Sequence, residues 1–144
     1  MPEGIYLGFD FGFKRIGVAV GQTLTGTASP LSTLDAKLGV PNWAEVEKLL
    51  NQWSPLALVV GLPTCIDDTE QYTTAASKGF ARQLRRRFSL PVHRVDERLT
   101  TVEARAYLFA EGGYRNIKNS EIDSIAACII LEQWLHGIHP NGDA

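Results

Sequence analysis

The sequence lacks the features that mark secreted, membrane-spanning and zinc-binding proteins. It has only two cysteines, Cys65 and Cys128, which are too far apart for a zinc motif and are expected to be reduced thiols. No apolar run is long enough to cross a bilayer. The first residues also lack the basic segment and long apolar stretch of a secretory signal. We therefore expect a cytoplasmic protein without a membrane partner.

Other catalytic patterns are also missing. The sequence contains no P-loop and no Ser-His-Asp pattern, and its three histidines, His93, His136 and His139, are expected on the surface. The formal net charge is −2, so a nucleic-acid ligand would depend on a local basic patch rather than on the total charge. The length of 144 residues suits one compact domain, 1–144.

Alternating apolar residues predict strands at the start of the chain. Residues 5–10 alternate so that Asp10 lies on the face opposite the large apolar side chains. Residues 15–23 alternate again, and the turn residues between the two runs predict a hairpin. A third strand is expected at about 27–34, with Pro30 near an edge or a bulge.

Helical patterns and buried strands alternate over the rest of the chain. Capping residues Asn42, Thr100 and Ser120 indicate where three of the helices begin. We expect helices at about 43–53, 70–88, 100–111 and 120–135, and strands at about 56–60 and 91–96. This order predicts an α/β fold with a mixed five-stranded sheet and helices on both faces.

Carboxylates stand where three of these elements begin or end. Asp10 ends an apolar strand between two glycines, and Asp123 lies in the first turn of the last helix, beside its apolar stripe. Asp96 and Glu97 end another strand, and its pattern leaves open which of them faces a site. Each has a simple structural explanation as a turn cap, a surface ion pair or a helix-dipole contact. Together they could converge beside the sheet.

Converging carboxylates predict a metal site. Like charges so close together repel unless a cation binds or protons are taken up. Carboxylate oxygens favour Mg²⁺ or Mn²⁺ over Zn²⁺. Two such ions can activate a water and stabilise the leaving oxygen of a phosphodiester. The pattern therefore indicates a metal-dependent nuclease.

Five sequence blocks, in this order, resemble the YqgF family, which is also called RuvX. The blocks are Asp10–Gly12, Lys14–Val20, Gly61–Pro63, Asp96–Thr101 and Glu121–Ala127. They extend over nearly the whole chain, so the resemblance is far more specific than a lone Asp-x-Gly.

The resemblance implies a ribonuclease H-like fold related to Holliday junction resolvases. It implies a cytoplasmic nuclease that helps to process the 5′ end of the 16S ribosomal RNA precursor. RNA, and with it ribosomal particles, is then the expected partner ahead of branched DNA. The family's catalytic, metal-binding acids match Asp10, Glu97 and Asp123, with Asp96 as the substitute for Glu97. The implied cofactor is Mg²⁺ or Mn²⁺, as two ions.

The sequence departs from the family pattern in two places. Phe13 stands beside the expected site, where the family usually has a small or polar residue. The stretch from Thr64 to Asp68 replaces one that usually ends in Asp-Gly, which should change the turn geometry of that loop. Both departures leave the acids intact, so they concern substrate fit rather than chemistry.

Basic and aromatic residues near the acids are the candidate nucleic-acid contacts. They are Lys14, Arg15, Arg98, Tyr114, Arg115 and Lys118. Tyr114 would stack on an unpaired base or simply close the turn before it. A second basic run, from Lys78 to Arg87, lies on one predicted helix and is more simply explained as a solvated face.

Three rival functions are considered. A Holliday-junction DNA resolvase would use the same acids but needs a dimer, and the sequence shows no obvious dimer helix, so we expect a monomer or a weak dimer. An actin-like ATPase or sugar kinase needs two such domains, for which this chain is too short. A non-catalytic RNA-binding factor is disfavoured, because buried charge without a metal is costly.

Overall fold

The chain folds around one mixed β-sheet with helices against it. In a computed structural model of the chain, residues 3–62, 69–96 and 119–137 are described. The strands are β1 Ile5–Asp10, β2 Arg15–Gln22, β3 Thr27–Pro30, β4 Leu34–Lys37, β5 Val40–Pro41, β6 Ala57–Leu62 and β7 Val92–Asp96. The helices are α1 Trp43–Trp53, α2 Thr69–Phe88 and α3 Asn119–Leu135.

The predicted mixed sheet and its opening hairpin are confirmed. The strand order is β5-β4-β2-β1-β6-β7, and β3 pairs separately with β2. β1 runs antiparallel to β2 and parallel to β6, and β6 runs parallel to β7. The parallel pairs are joined through helices because two parallel strands need a crossover connection.

The strand count differs from the predicted five, since seven strands are found within the described residues. The strand expected at 27–34 is divided at Pro30, which has no N–H to continue the ladder, and the chain returns to β2 at Leu34. β5 then forms a hairpin with β4 through Leu38 and Gly39, at φ 51° and 84°. This turn needs two left-handed residues, and a leucine there gives no signal in the sequence.

Helices cover both faces of the sheet, as predicted. α1 and α2 pack on one face over a core that includes Phe9, Val18 and Val60. α3 packs on the other face over a second core that includes Val59 and Val95. In the described part of the chain, none of these helices combines the length and apolar character needed to traverse a bilayer.

The helix boundaries follow the capping signals closely. The side chain of Asn42 accepts a hydrogen bond from the N–H of Ala44 at 3.0 Å, so the predicted cap of α1 is confirmed. α3 begins at Asn119, one residue before the predicted Ser120. The helix expected at 100–111 lies outside the described residues.

Glycines in β1 and β2 let α3 approach the sheet closely. A Cβ at Gly8 would lie 2.9 Å from the Cβ of Leu131, and a Cβ at Gly17 would overlap the carbonyl group of Asp123. Any larger residue at Gly17 would therefore push the N-terminal part of α3 away from β2. The glycine positions thus determine how closely α3 approaches the sheet.

The far end of α3 is held against β3 and the turn before it. The carboxylate of Glu132 accepts a hydrogen bond from the backbone N–H of Ala28 at 3.0 Å. The Nε2 atom of His136 lies 2.8 Å from the carbonyl oxygen of Gly26. Both contacts join residues more than a hundred positions apart, so they help to fix the direction of α3 across the sheet.

We predict opposite effects for the same substitution at two glycines. Gly17→Ala should lower the free energy of unfolding by about 3 kcal/mol, because the new methyl group meets backbone that cannot rotate away. Gly79→Ala should raise it by about 1 kcal/mol, because alanine favours the helix and a Cβ at Gly79 in α2 meets no atom of the described residues within 4 Å. Urea unfolding of both variants measures the two changes. A loss at Gly17 no larger than the effect at Gly79 would contradict the close approach.

Candidate active site

Asp10 is the last residue of β1 and lies at the centre of the sheet. Its Cα partners are Gly17 on β2 and Gly61 on β6. Directly opposite residues of an antiparallel pair present their side chains to the same face. The Cβ direction of Gly17 points at α3, so the half-buried side chain of Asp10 also lies on the α3 face. The face predicted from alternation is confirmed.

Asp123 reaches the same place from the other side of Gly17. It is the fifth residue of α3 and lies in the second turn rather than the predicted first, because the helix begins at Asn119. Its own carbonyl group is the one that rests against Gly17. The Cα atoms of Asp10 and Gly17 are about 5 Å apart, as in any antiparallel pair. The structure therefore brings Asp10 and Asp123 to one side of the sheet, separated by a residue without a side chain.

Asp123 forms a salt bridge with Arg15. The Nε atom of Arg15 lies 2.8 Å from Oδ2 of Asp123, and the two side chains are 39% and 27% exposed. Arg15 begins β2 two residues before Gly17 and so shares its face. The sequence predicted Arg15 beside the acids but not this pairing. The spacing of Arg15 and Gly17 on one strand face, with Asp123 above, is the signal that could have shown it.

The third acid lies at the boundary of the described residues. Asp96 ends β7, where its backbone pairs with Leu62, and Glu97 lies outside the described residues. Four of the predicted nucleic-acid contacts also fall outside them, namely Arg98, Tyr114, Arg115 and Lys118. Within residues 3–62, 69–96 and 119–137, no three side chains of the metal-ligating types gather in one place.

The loop between β1 and β2 is tied to the β4–β5 hairpin. The carbonyl of Lys14 accepts from the N–H of Ala36, and the carbonyl of Phe13 accepts from the N–H of Gly39, both at 2.9 Å. The Phe13 ring is 37% exposed and packs edge-to-face on buried Phe11, with ring centroids 5.9 Å apart. Lys14 is exposed beside it. The loop therefore presents one cation and one aromatic edge next to Asp10.

Ser124 is a positioning residue that the sequence analysis missed. It is almost completely buried, and its hydroxyl donates to the carbonyl of Leu31 at 2.7 Å. The same oxygen lies 2.6 Å from the hydroxyl of Thr33. These contacts hold the second turn of α3 to the segment between β3 and β4, and so fix the adjacent Asp123. A polar residue on an otherwise apolar helix stripe is the signal that could have indicated it.

Two other titratable groups on this face are unsuited to chemistry at neutral pH. Burial raises the pKa of the Tyr6 phenol. Burial and the nearby negative charge of Glu132 raise the pKa of the Cys128 thiol to about 12. His93, expected on the surface, is instead half-buried and stacked on Trp134 with ring centroids 4.2 Å apart. The carboxylates remain the candidates for catalysis.

Comparison with protein families identifies the chain. A family model described as "RuvX: Holliday junction resolvase" matches residues 4–137. The chain belongs to the RuvX family. This membership confirms the expectation of a nuclease, an enzyme that hydrolyses ester bonds.

RuvX-family relatives from several bacteria are similar over nearly their full lengths. A Legionella pneumophila (strain Paris) protein is 70% identical over 135 residues, covering 94% of this chain and 97% of the relative. A Proteus mirabilis (strain HI4320) protein is 51% identical over 134 residues, covering 93% and 96%. Both bear the name "Putative pre-16S rRNA nuclease".

Solved structures of resolvases share the fold. RuvC of T. thermophilus in complex with a Holliday junction substrate superimposes with a TM-score of 0.58 at 17% identity, covering 94% of this chain and 98% of that one. The fowlpox virus Holliday junction resolvase gives a TM-score of 0.52 at 15% identity, covering 93% and 99%. These likenesses confirm the predicted ribonuclease H-like α/β fold.

We predict that the Arg15–Asp123 salt bridge contributes little to stability. Both side chains are partly exposed, so solvent screens the pair and the coupling energy should be below about 1 kcal/mol. A double-mutant cycle with Arg15→Gln and Asp123→Asn, measured by urea unfolding, gives this energy directly. A coupling energy of several kcal/mol would mean that the pair is a structural anchor rather than a feature of the site.

Proposed function

We propose that this RuvX-family protein is a divalent-metal-dependent endonuclease that processes the 5′ end of pre-16S ribosomal RNA in the cytoplasm. Asp10, Glu97 and Asp123 are its proposed catalytic acids. The observation that carries the proposal is the placement of Asp10 and Asp123 on one face of the sheet, on either side of Gly17. Two acids on one face of the sheet, both beside Gly17, support a metal site for phosphodiester hydrolysis over the other reactions considered.

The two described acids fit a magnesium or manganese site. Both offer carboxylate oxygens, the ligand type that Mg²⁺ and Mn²⁺ prefer, and both are partly rather than fully buried. Asp10, Asp123 and Glu97 would hold the metal, which we propose to be two ions. The metal would supply an activated water and neutralise negative charge on the leaving oxygen.

Arg15 occupies the position of a counter-ion within this site. Its guanidinium forms a salt bridge with Asp123 and offsets the negative charge of that carboxylate. A guanidinium also binds phosphate with matched geometry, so the same side chain is well placed to contact the substrate backbone. We propose that Arg15 holds Asp123 before substrate binds and contacts a phosphate afterwards.

We propose Glu97 rather than Asp96 as the third ligand, in agreement with the family pattern. Val95 is buried in the core under α3, on the same row as Asp10 and Gly61. Side chains two residues apart in an extended strand share a face. An extended backbone after β7 would therefore put Glu97 on the face of Asp10, which supports the proposal.

RNA is the proposed substrate, since the relatives at 50% to 70% identity are named for pre-16S ribosomal RNA. Lys14 and Arg15 are the described candidates for phosphate contacts, and Arg98, Tyr114, Arg115 and Lys118 remain proposed contacts. We propose ribosomal precursor particles as the context and a monomer or weak dimer as the active form.

We predict that Asp10→Asn abolishes both cleavage and the response to metal. The wild-type melting temperature should rise with Mn²⁺ concentration, because an ion that binds only the folded state stabilises it by about 2.7 kcal/mol at a hundred times its Kd. Asp10→Asn removes a ligand, so the rise should disappear together with cleavage of a pre-16S RNA fragment. Melting curves with and without Mn²⁺, and a cleavage assay, measure both.

The matched control is Glu47→Gln. It removes one negative charge from an exposed position on α1, on the opposite face of the sheet. Glu47→Gln should keep cleavage and the Mn²⁺ response. A wild type that ignores millimolar Mn²⁺ and cleaves nothing would refute the metal-dependent nuclease.

Resolution of Holliday junctions is the second candidate, favoured by the description of the matching family. We predict that the purified protein cleaves a 5′-extended 16S precursor RNA at least tenfold faster than a four-way DNA junction, under identical conditions with Mg²⁺ or Mn²⁺. Preference for the junction, together with a dimer in sedimentation analysis, would reverse the assignment.

A further inference from the structure

A groove of about 440 Å³ lies between α2 and β7, away from the acids. Four cationic side chains line it: Lys78, Arg82 and Arg85 from α2, and Arg94 from β7. All four are exposed. The sequence analysis treated the basic residues of α2 as a solvated face, and the groove separates them into two groups.

Lys78, Arg82 and Arg85 follow the four- and three-residue spacing of one helix face, and so turn together toward β7. Arg86 and Arg87 do not line the groove, and the Arg87 guanidinium lies over the Trp43 ring at 4.4 Å. The solvated-face explanation therefore suits only the second group.

No acidic side chain among the described lining residues balances the positive charge of the groove. None of its four cations forms a salt bridge with a described residue. Cations close together in one groove repel each other, and an anion bound between them offsets this repulsion. A neutral or cationic ligand would gain nothing there.

The strand register relates the groove to the acids. Arg94 pairs with Val60, which is one residue before the row that contains Asp10, Gly61 and Val95. Its Cα is therefore about 10 Å from that of Asp10, across two strand spacings. Asp10 and Val95 lie on the α3 face, whereas the groove opens on the α2 face. β7 is the last strand at this end of the described sheet, so a ligand that passes over it connects the two places.

We propose that the groove between α2 and β7 binds backbone phosphates of the nucleic-acid substrate several nucleotides from the cleaved bond. Three of its four cations are arginines, whose planar guanidinium groups match phosphate oxygens in pairs. Contacts of this kind position a substrate without reading its bases. The identity of the substrate as RNA rests on the proposed function, whereas the anion-binding groove does not.

The test compares two double variants with the same change of charge. Arg82→Gln with Arg85→Gln removes two cations from the groove. The control, Lys48→Gln with Arg86→Gln, removes two exposed cations that do not line it. Binding of a fluorescein-labelled 20-nucleotide single-stranded RNA is measured by anisotropy in EDTA, from about 50 to 200 mM salt.

The groove variant should weaken binding on the order of tenfold. It should also reduce the salt slope of log Kd by about one to two, because the loss of each phosphate contact lowers the number of counterions released on binding. The control should stay within about twofold of wild type in Kd and keep the wild-type slope. Replacing the same pair by lysine should restore most of the affinity, which separates loss of charge from loss of folding. Equal Kd and slope for the groove and control variants would overturn the proposal.

Substrate length and type separate this result from that of the proposed function. With Mn²⁺, cleavage of an RNA dinucleotide, whose single phosphate cannot lie at the acids and in the groove at once, should be the same in both double variants. If wild type cleaves RNA but the groove variant binds like the control, the groove proposal alone fails. If wild type cleaves no RNA but the groove variant still binds four-way DNA tenfold more weakly than the control, the groove stands and the RNA nuclease fails.

Discussion

The carbonyl of Asp123 rests against Gly17, and the geometry of the site depends on this contact. This contact sets the distance between α3 and the sheet, because two backbone segments in contact cannot relax by changing rotamers as side chains can. It also sets the separation of Asp10 from Asp123, since Asp10 is paired with Gly17 across the β1–β2 hairpin. The buried hydrogen bond of Ser124 then holds the second turn of α3 in place. The backbone and a buried hydroxyl thus position the acids.

Local patterns were sufficient to predict the parts of the fold that obey them. Two-residue alternation placed Asp10 on the correct face, and the capping signal of Asn42 located α1. Long-range pairing was not predictable in the same way. The return of the chain to β2 at Leu34 depends on which strand still has an unpaired edge. The turn at Leu38 depends on a backbone conformation that leucine rarely adopts. Neither has a signature within a short window of sequence.

The sequence could suggest candidate residues for the site but not their pairings. Asp10 and Asp123 were candidates because a carboxylate beside an apolar strand or helix stripe is costly without a purpose, and Arg15 was a candidate because it adjoins the acids. The salt bridge between Arg15 and Asp123 joins positions 108 residues apart, and only the packing of α3 on β2 creates it. The division of the basic residues of α2 into two groups was not predictable either. A helical run of arginines looks uniform in sequence, and only the approach of β7 divides it.

The bond from Ala28 to Glu132 has a consequence for the protein in crowded solution. Among the described strands, β3 pairs with β2 alone, so its other side is an edge at which a foreign strand could add by hydrogen bonding. Ala28 would be a donor at that edge, but a carboxylate from the same chain already accepts its N–H. The strand is also only four residues long and ends in Pro30, which has no donor. The residue that secures the far end of α3 thus also guards the sheet against self-association through β3.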